Sequence, residues 1–147
     1  MNRLTRSAML LTGLAVALSL FCSMGLPAQT RLSDKDVEQH MKNLKDDAKK
    51  FRSSFNSALS KSTIRKTSQE KDAKTLAQNF EKQTNSMYET FKKSTKSEPY
   101  LQNSLDTARQ IEKVITSTQL DTATNTQWST VKIELNTLAN AFHVPGL

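Results

Sequence analysis

Between Val37 and Leu59 the apolar side chains recur at Val37, Met41, Leu44, Ala48, Phe51, Phe55 and Ala58. The steps of four and three alternate without a slip, and Leu59 widens the far end. Residues three and four apart share one side of an α-helix, so these positions form a single stripe on an otherwise polar helix. A lone helix cannot bury its own stripe. The rest of the chain must therefore supply partners, and it contains three more segments with the same period.

The first helix is predicted over residues 33–60. Ser33 with Asp36 three residues on makes a capping box with Asp in the place of Glu, and Asp34 and Asp36 put negative charge where the helix dipole favours it. At 1.5 Å per residue the helix is about 40 Å long. A polar connection follows, in which Ile64 alone repeats the stripe. The second helix, 68–95, starts from Thr67 or Ser68 as cap and carries Ala73, Leu76, Phe80, Met87 and Phe91, with Ala77, Thr84 and Tyr88 alongside. Ser97, Glu98 and Pro99 then supply an N-cap, an acid and a first-turn proline, which stop one helix and start the next. The third helix, 98–118, carries Leu101, Leu105, Ala108, Val114 and either Ile111 or Ile115. Thr124 or Asn125 caps the fourth, 125–143, whose stripe is Trp128, Val131, Leu135, Leu138 and Phe142 before Pro145 and Gly146 end it. Alternating strand patterns are absent. Four amphipathic helices on short Ser/Thr/Asn connections predict an all-α, up-down-up-down four-helix bundle. A coiled-coil oligomer, a dimer among the possibilities, is the rival, and the connections favour an intramolecular bundle and a monomer.

Residues 1–28 read as an address. Arg3 and Arg6 precede an uncharged apolar run from Ala8 to Phe21, and small residues with Pro27 follow, the order of a secretory signal peptide. The run is shorter than the roughly 20 residues a membrane span requires, so no transmembrane segment is expected in the mature chain. Cleavage falls after Gly25 or after Ala28. Phe21 is bulky where a lipidated Cys22 would need a small neighbour. Removal of Cys22, the one cysteine, excludes disulfides, thiolate metal sites and cysteine nucleophiles from the predicted 29–147 domain.

Charge is uneven along that domain. From Arg31 to Glu98 the chain carries 16 basic and 10 acidic residues, whereas Pro99 to Leu147 carries 3 and 4. A basic half outside the cytoplasm is attracted to anionic envelope surfaces or an acidic protein rather than to nucleic acid, and the densest cations, Lys61, Arg65, Lys66, Lys71 and Lys74, are the candidate surface. Lysines interleaved with acids also serve simply as a solvated face. Catalytic devices are missing: there is no phosphate-binding glycine loop, no nucleophile elbow and no glutamate followed three residues later by histidine, as a di-metal bundle needs. Asp46 and Asp47 fall on the polar side. The expectation is a non-enzymatic binding protein with no metal and no cofactor.

Two resemblances bear on this. Phe51-Arg52-Ser53-Ser54-Phe55 with Ala58-Leu59, then Asn79-Phe80-Glu81, Tyr88, Phe91, Ala108 to Ile115, and Trp128 through Val131 to Phe142 resemble a group of small exported bacterial α-helical proteins of unknown function. That resemblance implies a secreted bundle without assigned activity, located in the periplasm or outside the cell. More locally, Asp36 to Asp46 and Asn140-Ala141-Phe142-His143 resemble the two ends of soluble periplasmic four-helix b-type cytochromes. This second resemblance implies a haem b electron carrier with Met41 and His143 as axial ligands, the alternative function.

Overall fold

The computed structural model describes residues 32–94 and 96–147. The predicted signal peptide, both cleavage points and Cys22 lie outside the described residues. Within them the chain is all-helical: α1 (Asp34–Leu59), α2 (Ser68–Ser94), α3 (Glu98–Thr118) and α4 (Thr122–Ala141), with no strand.

α1 starts as its first turn dictates. The Ser33 hydroxyl accepts from the Asp36 amide at 3.2 Å, and the Asp36 carboxylate accepts from the Ser33 amide at 3.3 Å, closing the capping box. Every stripe position of α1, and Leu59, is buried. α1 packs along both α2 and α4, and α2 packs along α3; α3 and α4 share the sparsest seam.

Four aromatic rings mark the middle of the core. Phe51 stacks on Phe55 with centroids 4.9 Å apart and leans on Trp128 at 4.8 Å, and Phe80 meets Trp128 edge-on at 6.0 Å. α1, α2 and α4 thus each contribute to one aromatic cluster. α3 supplies Leu101, Leu105, Ala108, Ile111 and Ile115, so both isoleucines are buried while Val114 is only partly so.

Three local expectations are corrected. Leu76 is half-buried and Ala77 takes its place in the core, because the four-residue step from Ala73 lands on Ala77; Leu76 instead lines a groove with Ile64 and Val114 between α2 and α3. α4 begins three residues early. Asp121 is its cap, with the carboxylate accepting from the Thr124 amide at 2.7 Å, whereas Thr124 is itself buried. Ser97 flanks α3 but makes no side-chain cap: its hydroxyl is buried and donates to Met41 Sδ at 3.9 Å.

α4 also ends early, at Ala141. The Val144 amide donates to the Ala139 carbonyl at 2.9 Å and the His143 amide to the Asn140 carbonyl at 3.2 Å, the two bonds of a Schellman ending. His143 occupies the left-handed position with φ of 55°, where glycine carries no penalty. His143→Gly is therefore expected to raise stability by about 0.5–1 kcal/mol. A urea midpoint that does not rise would show that the exposed imidazole offsets the backbone strain.

Candidate functional site

The predicted basic surface is built on the connection between α1 and α2. Ser62 turns back on the Leu59 carbonyl through its hydroxyl at 2.8 Å, the Arg65 amide donates to the Ser62 carbonyl at 3.2 Å, and the Thr67 amide donates to that of Ile64 at 3.1 Å. Partly buried Ile64 anchors this run of turns to the core. The charged side chains between the turns consequently face outward: Lys61, Arg65, Lys66 and Lys71 are exposed, and Lys74 is half-buried.

The organising residue of this end is Glu70. Its carboxylate accepts from the Lys66 amide at 2.5 Å and from the Ser60 hydroxyl at 3.2 Å, and pairs with Lys74 at 2.6 Å. Thr67 Oγ1 meanwhile accepts from the Glu70 amide at 3.3 Å. The pattern is a capping box whose carboxylate reaches one residue further back than usual, and the signal in the chain was Thr67-x-x-Glu70. Hydrogen bonds from the Lys74 ammonium and then from the Lys66 amide hold the Glu70 pKa below its ordinary value. Lys66 pays for this geometry with a left-handed φ of 63°.

Pairing redistributes the candidate cations. Lys74 is neutralised by Glu70, and Lys61 lies close enough to Asp121 to help lower its pKa, after the dominant hydrogen bond from the Thr124 amide. Arg65, Lys66 and Lys71 make no ion pair among the described residues. Beside them a polar cleft of about 420 Å³ opens between α1 and α2, bordered by Arg52, Asn56, Lys71 and Gln78. Arg52 is committed to Glu81.

The structure does not bring Met41 and His143 into a ligand pair. Met41 is fully buried in the core with its sulfur against the Ser97 hydroxyl, while His143 is exposed on the turn beyond α4. A ligating histidine must present a ring nitrogen into a cavity shared with the methionine, and the Schellman ending holds His143 outside the helix that would aim it. The other histidine is engaged elsewhere: His40 Nδ1 lies 2.7 Å from Glu134 Oε2, and Asn43 Nδ2 donates to Glu134 Oε1 at 3.2 Å, tying α1 to α4. Asp47 pairs with Lys50 at 3.0 Å and Asp46 lies 3.9 Å from Lys45, so the two adjacent acids form no joint site. Among the described residues no group of three or more His, Cys, Asp or Glu converges as a metal site, and no helix is long and apolar enough to cross a membrane.

The capping and bridging carboxylates have a common consequence. Asp36, Glu70 and Asp121 are held below their ordinary values by hydrogen bonds from Ser33, from Lys74 and from the Thr124 amide respectively. Burial pushes Glu112 up, but hydrogen bonds from Trp128 and Lys132 outweigh it and the net direction is again down. Each group binds fewer protons folded than unfolded, so its stabilisation is present above the ordinary carboxylate range and fades as pH falls through it. Denaturant midpoints are expected to be level near pH 6–7 and to drop progressively below about pH 4.5, where carboxylates of ordinary pKa begin to protonate. A flat profile down to pH 3 would show that these contacts contribute no net stability.

No protein-family model matches the chain, and neither a curated protein nor a solved structure matches it.

Proposed function

We propose that the protein is an exported, non-enzymatic up-down-up-down four-helix bundle that acts by binding, as an envelope-associated helper, and that it meets an anionic surface through the α1–α2 connection. The observation carrying the reading is the group of exposed cations Arg65, Lys66 and Lys71, which make no ion pair among the described residues while neighbouring Lys74 is neutralised. Uncommitted cations clustered at one end produce a directional attraction, whereas paired ones only solvate. Antiparallel running of α1 and α4 is supported by two contacts: early His40 meets late Glu134, and later Phe51 meets earlier Trp128. Lys61 near Asp121 supports placing the α1–α2 and α3–α4 connections at one end. Export rests on the signal-like leader and on the resemblance to small exported helical proteins.

The test uses the exported protein. Its intact mass is expected to begin at Leu26 or Gln29, and it is expected to sediment with vesicles containing anionic lipid at low salt and to be released at high salt, since exposed charges are screened over about 8 Å at physiological ionic strength. Lys71→Glu combined with Arg65→Glu is expected to abolish sedimentation. Retention of the leader would remove the export reading, and absence of binding at low salt would leave these cations as solubilising charge.

A further inference from the structure

The chain beyond α4 does not run free. α3 and α4 share the sparsest helix seam, and residues 145–147 are bonded to both of its walls. On the α3 side Arg109 Nη2 donates to the Gly146 carbonyl at 2.9 Å and to the Pro145 carbonyl at 3.4 Å, while Nη1 donates to Asp106 at 2.8 Å. Asp106, one turn earlier on the same helix, thus holds the guanidinium with its other edge toward the tail. On the α4 side Asn136 Oδ1 accepts from the Leu147 amide at 2.8 Å, and the Leu147 side chain borders the same groove as exposed Ile133.

The path of the tail is set at its root. Val144 is partly buried against the core, and the Schellman ending turns the chain back from α4. Pro145 fixes its own φ at about −65° and restricts Val144 to extended backbone, so the tail loses little further freedom when it lies on the seam. Gly146 is the point of closest approach. A Cβ built there would overlap Asn136 Oδ1, and it would lie 3.8 Å from the methyl of fully buried Ala139. Any side chain at position 146 therefore pushes the Asn136 acceptor away from the Leu147 amide.

These clips hold weakly. All of them lie at the surface, where each competes with hydrogen bonds to water. Segments held by exposed hydrogen bonds and few buried apolar contacts open locally well before the whole fold does. Further along the seam Glu112 on α3 pairs with Lys132 at 3.0 Å and accepts from Trp128 Nε1, both on α4, and this bridge bounds how far an opening from the tail end can spread.

We infer that residues 145–147 are a releasable strap. Bound, they close the α3–α4 seam through Arg109 and Asn136; released, they let the end of that seam beyond the Glu112 bridge open ahead of the rest of the bundle. Release also lifts Leu147 from the groove it borders with Ile133. The strap shares no residue with the α1–α2 cations, so it stands whether or not those cations meet an anionic surface.

Native-state amide hydrogen exchange of the purified protein, resolved by residue with NMR, tests this. Gly146→Ala, which displaces the Asn136 acceptor, and Arg109→Ala, which removes the α3 donor, are each expected to speed exchange about fivefold, as loss of one hydrogen bond does, in α3 before Glu112 and in α4 after Lys132. Amides of α1 and α2 should keep their wild-type rates. All four helices should do so in Lys113→Ala, an exposed change that borders the same groove without touching the strap. The inference is overturned if either strap variant exchanges at wild-type rates, if all four helices accelerate together as in a loss of global stability, or if Lys113→Ala accelerates the same amides.

Discussion

Phe51→Ala is expected to lower unfolding free energy by about 3–5 kcal/mol, the range for deleting a buried aromatic ring whose surroundings relax only in part. Phe51 is fully buried and touches both Phe55 and Trp128, so its removal opens a void where α1 and α4 meet. Neither neighbour is free to fill it: Phe55 is held in the same α1 stripe, and Trp128 is tethered to Glu112 on α3. Lys50→Ala one residue away should change stability by less than about 0.5 kcal/mol, because its pair with Asp47 is solvent-exposed. Urea denaturation of the two variants checks the contrast, and equal losses would mean that the α1 stripe does not face the core.

Trp128→Ala should cost a comparable 3–5 kcal/mol, and Trp128→Phe considerably less. The ring meets Phe51 from α1 and Phe80 from α2 while its indole nitrogen donates to Glu112 on α3, so one side chain from α4 touches all three other helices. Truncation to alanine removes the filling volume. Phenylalanine keeps most of it and loses only the Glu112 bond, and half-exposed Glu112 retains Lys132 and water as partners. Because Phe51 and Trp128 are in contact, the double variant should lose less than the two single losses added together, by roughly the 0.5–1.5 kcal/mol typical of an aromatic pair. A denaturation cycle measures this directly. Strict additivity would mean that the rings are not coupled in solution.

The α1 stripe, the Ser33 capping box and the proline-marked start of α3 were legible in the chain because each depends on residues within a turn or two of one another. Hydrophobic period fixes which face of a helix seeks the core, and a cap is satisfied by amides three residues away. The fourth helix was legible as an element but not at its ends. Asp121 and Thr124 both suit a cap, and the outcome depended on Thr124 being drawn into the core. His143 is the last residue of the helix expected from the sequence, yet the chain turns left-handed there once the Ala139 and Asn140 carbonyls are satisfied.

What crosses between helices was decided only by the tertiary structure. Periodicity says which residues face inward and leaves open the rotation and height at which two helices meet, and those set every long-range pair. Glu70 gathers Ser60, Lys66 and Lys74 because the α1–α2 connection folds back over the start of α2. The five candidate cations were equivalent as letters; packing neutralised Lys74, set Lys61 beside Asp121 and left Arg65, Lys66 and Lys71 without an ion pair among the described residues. Ile133 carries no sequence signal of its own, since a lone apolar residue off the stripe is ordinary. It gains meaning only because α3 and α4 meet sparsely enough to leave a groove beside it, with Leu147 clipped to the same rim.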